Sequence, residues 1–235
     1  MSLMDIKYLY KSSVESDSKT AVIVLPEIFG LTDFVTGVAD RFAREFSTHA
    51  FALDFFYQLT GEPNKFDYEK DREKGHDLMQ RMTGEDFVNI FEQAVDHIAA
   101  QIPGLESIVV CGFCFGGRLA YMSATESRVK KIISFYGAGA NKPNYYSDNS
   151  AVELLCETRS NDESLSILSF FGEDDQSIPK SDREKTKQTI EAAGLSYKEV
   201  VYADTGHAFF NDARVAMYNK DSSRKAWQEI IKFIK

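Results

Sequence analysis

Hydrophobic positions in this chain follow two different periods. Short, nearly continuous apolar runs occur at Ala21–Leu25, Ala50–Phe55, Ser107–Cys111, Lys131–Tyr136, Leu165–Phe171 and Tyr197–Ala203, with a further strand-like segment at Lys7–Tyr10. Runs of this length without polar alternation are expected of strands covered on both faces. Between them the period lengthens. Phe34, Val35, Val38, Ala39, Phe42 and Phe46 share one face of a helix capped near Thr32 or Asp33, and Phe87, Ile90, Phe91, Ala94, Val95 and Ile98 do the same behind Thr83. Trp227, Ile230, Ile231 and Ile234 place a closing helix over Arg224–Ile234. The alternation predicts an α/β fold, a mostly parallel twisted sheet of about seven strands with helices on both faces. Gln58–Asp71 and Ala138–Ser164 show no clear period and read as loops.

Composition narrows the partners more than the fold. The 235 residues suit one α/β domain spanning the chain. A formal charge of −9 argues against nucleic acid or an anionic membrane as partner. No apolar stretch approaches the roughly 18 to 20 residues a bilayer span needs, and no basic segment followed by an apolar one opens the chain. Met1-Ser2-Leu3 reads as an expression scar ahead of Met4 and is left out of the fold argument. Three cysteines without framework spacing suit a reducing compartment, and a cytoplasmic location is expected. No cluster has metal-ligand spacing and no glycine-rich phosphate loop is present, so no metal or cofactor is expected. The expected partner is a small molecule, and the expected state a monomer or weak homo-oligomer.

The segment Ser107-Ile-Val-Val-Cys-Gly-Phe-Cys114-Phe-Gly-Gly117 changes the picture. A strand-like run breaks at Gly112 and a helix-like run begins past Cys114, the layout of a nucleophile elbow. A side chain projecting from so tight a turn needs neighbours without Cβ atoms, which accounts for Gly112, Gly116 and Gly117. A thiol at the start of the following helix meets its dipole and free N–H groups, which favour thiolate. Cys114 is therefore a candidate nucleophile, whereas Cys111 and Cys156 read as small packing residues.

A cysteine nucleophile needs a base. His49, His76 and His97 precede the elbow in helical or loop contexts, whereas His207 follows Tyr197–Ala203 across Asp204-Thr205-Gly206, at the carboxyl edge of the sheet where catalytic groups gather. The orienting acid should fall between nucleophile and histidine, the chain order of α/β-hydrolases. Gly172-Glu-Asp174-Asp175 follows the strand Leu165–Phe171; Asp175 is the first choice and Asp174 the alternative. Glu27, after Ala21–Leu25, stands where the second half of an oxyanion hole is built, with the N–H groups of Ile28 and Phe115 placed to hold a developing oxyanion and the carboxylate close to the thiol.

With these residues in view, the chain resembles the dienelactone hydrolase family of the α/β-hydrolase fold from about Ala21 onward. Pro26-Glu27-Ile-Phe-Gly30, the Cys114 elbow, Phe135-Tyr-Gly137, Gly172-Glu-Asp-Asp175 ahead of Pro179, and Gly206-His207-Ala-Phe209 carry the resemblance, in the family's order. It implies a nucleophile at Cys114, an acid at Asp175, a base at His207 and an additional glutamate at Glu27 that holds the thiol quiet until substrate arrives. It also implies arginines that bind a substrate carboxylate. Arg72 matches one by its distance ahead of the Phe87–Ile98 helix; where the other would follow the histidine by four residues this chain has Asn211, with Arg214 nearby but not equivalent. The activity implied is hydrolysis of an activated ester or lactone through an acyl-thioester. A general carboxylesterase or thioesterase, or a non-catalytic binder or redox sensor on the same fold, are the alternatives.

Overall fold

The computed structural model describes residues 6–144 and 147–235. Met1 to Asp5, and with them the expected expression scar, lie outside the described residues, as do Tyr145 and Tyr146.

Seven strands form one sheet: β1 (Leu9–Lys11), β2 (Thr20–Leu25), β3 (His49–Leu53), β4 (Ser107–Phe113), β5 (Val129–Phe135), and two later strands, β8 (Ser166–Gly172) and β9 (Ser196–Tyr202). A separate two-stranded ribbon, β6 (Pro143–Asn144) with β7 (Ser147–Ser150), interrupts the count. The spatial order is β1-β3-β2-β4-β5-β8-β9, with only β1 antiparallel to its neighbour. The sheet is thus the mostly parallel one that the apolar runs predict. Boundaries move by up to two residues at most ends. His49 opens a strand instead of lying in a helix or loop.

The inner strands are buried on both sides, the edge strands β1 and β9 are not, and alternate residues of β2 enter two separate cores. Ala21, Ile23 and Leu25 join one core, while Val22 and Val24 join the other. Helix α1 (Asp33–Phe46) and α8 (Lys220–Ile234) cover the second face through Phe34, Val38, Phe42, Trp227 and Ile230. On the first face pack α4 (Gly84–Gln101), α5 (Phe115–Met122), α6 (Ala151–Arg159) and α7 (Lys180–Ala192). Thr83 caps α4 by a reciprocal box with Asp86, as its place before the apolar stripe suggests. Two further helices, α2 (Tyr57–Thr60) and α3 (Arg72–Arg81), lie between β3 and α4.

The loop reading of Ala138–Ser164 is corrected in part. Ser150 and Glu153 form a capping box that starts α6, a helix whose buried side chains include Val152 and Leu155. With few apolar positions over nine residues, α6 shows too little period for detection by pattern alone. Gln58–Asp71 is irregular after α2 ends, and Asn64 to Phe66 are tied to the turn after β2. Leu31 N–H donates to the Asn64 carbonyl (2.8 Å) and Phe66 N–H to that of Phe29 (2.9 Å).

Candidate active site

The turn after β4 forces its apex residue into an unusual backbone. Cys114 has φ 52° and ψ −112°, a conformation that costs a non-glycine residue strain and is held only where the surroundings over-determine it. They do so here. A Cβ at Gly112 would lie 2.0 Å from the Gly116 carbonyl oxygen, one at Gly116 2.3 Å from that of Pro26, and one at Gly117 2.5 Å from that of Phe135. The same glycines let the backbone knit together, with Gly116 N–H donating to Pro26 (3.1 Å) and Cys114 N–H to Phe135 (3.0 Å). The sulfur is left half-buried, whereas Cys111, three residues earlier in the strand, is fully enclosed and burial pushes its thiol up.

Asp175 and His207 come together because their loops interlock. Gly172, at the end of β8, passes so close to the loop after β9 that a Cβ would lie 2.2 Å from the Thr205 carbonyl oxygen; Glu173 N–H donates to Tyr202 and Asp174 N–H to Thr205, each at 2.9 Å. Left-handed residues Asp204 (φ 52°) and Ala208 (φ 57°) bracket the histidine. Nδ1–H of His207 donates to Asp175 Oδ2 at 2.7 Å, and the other carboxylate oxygen accepts from Ser177 N–H at 2.8 Å. Asp175 is buried while Asp174 is exposed, which separates the two candidates.

The imidazole also lies in the field of Cys114. Burial disfavours the charged ring, but the neighbouring Cys114 and Asp175 outweigh it and push the imidazole up to about 10.

Glu27 is 2% exposed, and its carboxylate is held by two groups from the loop after the histidine. Oε2 accepts from Asn211 Nδ2 at 2.8 Å and Oε1 faces Arg214 Nη1 at 3.5 Å. Burial raises its carboxyl above the ordinary value; Arg214, Asn211 and His207 act against the rise. Asn211 donates as well to the Tyr68 hydroxyl (3.1 Å), which donates to Thr32 Oγ1 (3.0 Å). Arg214 lies over the rings of Phe29 and Tyr68 at 5.5 and 5.8 Å. Arg214 thus reaches Glu27 from seven positions beyond the histidine. The sequence singles out neither Tyr68 nor this reach, because both depend on loop paths that no local motif encodes.

Arg72 is exposed on the first turn of α3, and among the described residues no hydrogen bond or ion pair joins it to Glu27, Cys114 or His207. Its charge is felt at His76, whose imidazole is lowered by burial and then by Arg72. One turn further along, Gly75 lies against the Ile28 carbonyl, where a Cβ would be 2.4 Å from the oxygen. Helix α3 therefore abuts the turn that carries Ile28. The N–H of Phe115 opens α5, where first-turn donors have no intrahelical partner. Clefts of about 430 Å³ beside Thr32, Phe66, Tyr68 and Ala213, and of about 310 Å³ beside Gly206, His207, Met217 and Tyr218, flank the site. Among the described residues no group of three or more potential metal ligands converges, and no helix is long and apolar enough to cross a membrane.

Comparison with known proteins finds relatives along most of the chain. A relative from Synechocystis sp., provisionally named carboxymethylenebutenolidase, is 30% identical over 220 residues, covering 89% of this chain and 82% of the relative. One of the same name from Escherichia coli K12 is 26% identical over 215 residues, 91% of this chain and 76% of the relative. The fold superposes on a crystal structure from Klebsiella pneumoniae, provisionally named a dienelactone hydrolase, with a TM-score of 0.75 at 24% identity over 95% of this chain and 96% of that one. The family model for the dienelactone hydrolase family matches residues 7–235, and the chain belongs to that family of α/β-hydrolases.

Proposed function

We propose that this hydrolase cleaves an activated ester or lactone through an acyl-thioester on Cys114, with His207 and Asp175 completing a triad. The observation that carries the reading is the 2.7 Å His207–Asp175 pair beside a sulfur at the apex of a strained elbow. The thiolate attacks the carbonyl carbon, and the N–H groups of Ile28 and Phe115 receive the oxyanion. As the C–O bond breaks, the imidazolium protonates the departing oxygen. The neutral imidazole then takes a proton from water, whose oxygen forms the new bond to the acyl carbon. The sulfur leaves as thiolate, and the ion pair is restored.

A thiolate is a good leaving group, so the tetrahedral intermediate of an amide returns to substrate, whereas an enol or phenol leaving group competes with sulfur. Activated lactones and aryl esters fit this chemistry. An anionic group on the substrate would meet Arg214 and compete with Glu27 for it. In this reading Arg214, instead of a residue four places after the histidine, is the cation on that side of the site.

The test is a panel of aryl esters and lactones, with and without a carboxylate, assayed on wild type, Cys114→Ala and His207→Ala. Turnover in wild type with loss of at least 10³-fold in both variants is expected. Undiminished turnover in Cys114→Ala refutes the nucleophile, and oxidation of Cys114 without any turnover points to a redox sensor instead.

A further inference from the structure

The loop that carries Asp175 is closed by a charged group from outside the site. It runs from Gly172, the last residue of β8, to Pro179, which precedes α7. Gly172 is also where this loop crosses the histidine loop, since a Cβ there would meet the Thr205 and Gly206 carbonyl oxygens at 2.2 and 2.7 Å. The Gly172 carbonyl accepts the Asp175 N–H at the long distance of 3.4 Å. A shorter bond to the same oxygen comes from Arg183, early in α7, whose Nη1–H donates to it at 3.1 Å across eleven positions of chain.

Arg183 is only 7% exposed. Enclosing a guanidinium costs free energy, and a methionine would cover the same helix face without a charge. Glu199 of β9 lies in its field and offsets part of that cost. What the arginine adds is a charge-assisted bond from a stiff, planar donor on a stem long enough to span from helix to strand end. The histidine loop has an anchor of its own. Thr205 Oγ1 and Ser222 Oγ lie 2.9 Å apart, and Asn219 Nδ2 donates to the Asp204 carbonyl at 3.3 Å, which ties that loop to the start of α8. The two loops are thus fixed to helices on opposite faces of the sheet and meet at Gly172.

We propose that Arg183 is a positioning residue of the triad: by holding the Gly172 carbonyl it fixes the Asp175 loop against the histidine loop and keeps the carboxylate on His207 Nδ1. The inference rests on the reading of Asp175 and His207 as triad members. Without this staple the loop stays attached through the N–H groups of Glu173 and Asp174, but the segment from Asp175 to Pro179 can shift. A displacement of about 1 Å costs up to about 10²-fold in rate. The loss falls on the proton transfers of His207, and therefore on kcat. The Ile28 and Phe115 amides and Arg214 stand on other segments, so KM is spared.

The experiment measures kcat and KM for a neutral aryl ester, the downfield proton resonance of His207 Nδ1–H, and the thermal midpoint, in wild type, Arg183→Met, Arg183→Lys and Ile190→Ala. Ile190 is buried two turns further along α7, so its variant lowers the thermal midpoint through packing alone. In Arg183→Met, kcat should fall about tenfold or more with KM within twofold, and the resonance should broaden or move upfield. Arg183→Lys, which keeps a charged donor, should restore kcat to within about threefold of wild type. Ile190→Ala should leave kcat and the resonance as in wild type. Wild-type kcat and an unmoved resonance in Arg183→Met overturn the proposal. So does an equal loss of kcat in Ile190→Ala at the same drop in thermal midpoint, which would make Arg183 a packing residue only. Arg183→Gln, too short to reach the carbonyl, carries the same prediction and decides the matter if Arg183→Met fails to fold. Loss of kcat in Asp175→Asn alongside an unchanged Arg183→Met discards the positioning role alone, whereas wild-type kcat in Asp175→Asn discards the triad reading beneath it.

Discussion

Asp54 provides a pH dependence that can be worked out in advance. Its side chain is completely enclosed and accepts from Asn64 N–H (2.6 Å), Asn64 Nδ2 (3.0 Å) and Phe56 N–H (3.2 Å). Through Asn64 it braces the loop that bonds to Phe29 and Leu31, beside the turn carrying Glu27 and Ile28. Burial outweighs those donors and raises the carboxyl from 3.8 to about 6. Between those two values the folded chain holds a proton that the unfolded chain has released, so stability falls as pH rises through this window. The contribution is fully present below 3.8 and gone above about 6. At roughly 1.4 kcal/mol per pH unit of separation, it is worth about 3 kcal/mol. Asp54→Asn removes the titration. Urea unfolding of both proteins at half-unit steps from pH 4 to pH 7.5 should show the wild type losing about 2.4 kcal/mol of that relative to the variant as pH rises, most of it by pH 6.5. A difference that stays constant across the window, or grows in the wild type's favour, would refute the reasoning.

Three further outcomes follow from the site. In Cys114→Ala the imidazole of His207 should lose its proton well below about 10, because burial and Asp175 alone remain; side-chain NMR titration reads this, and an unchanged midpoint would remove the sulfur from the pair. Arg214→Gln should raise KM for carboxylate-bearing esters about tenfold or more while leaving neutral esters within twofold, and equal effects on both would mean that Arg214 serves only Glu27. Gly112→Ala, whose Cβ would sit 2.0 Å from the Gly116 oxygen, should cost about 3 kcal/mol in urea unfolding and most of the activity; a stable, active variant would show that the elbow tolerates a wider turn.

The sheet was legible because parallel strands buried on both faces write themselves as unbroken apolar runs, as in Ala21–Leu25. Helices α1, α4 and α8 were legible for the same reason at a longer period. Helix α7 was not, since its buried side chains are Arg183, Thr186 and Ile190, too few and too polar to mark a face. Helix α3, with only Gly75 and Leu78 buried, was equally silent. In the site, Cys114 announced itself through glycines that the turn requires, and His207 and Asp175 through their places after successive strands. Glu27 was found but its partners were not, because Asn211 and Arg214 reach it across 184 and 187 positions of chain.

The most direct measurement of the central claim is acid quench of a reaction with an activated aryl ester, followed by intact mass and peptide mapping. One acyl group per chain, attached through sulfur at Cys114 and accumulating when His207 is replaced by a residue that cannot activate water, is the predicted result. Steady turnover with no acyl group on Cys114 at any quench time, or an acyl group carried elsewhere, would contradict it.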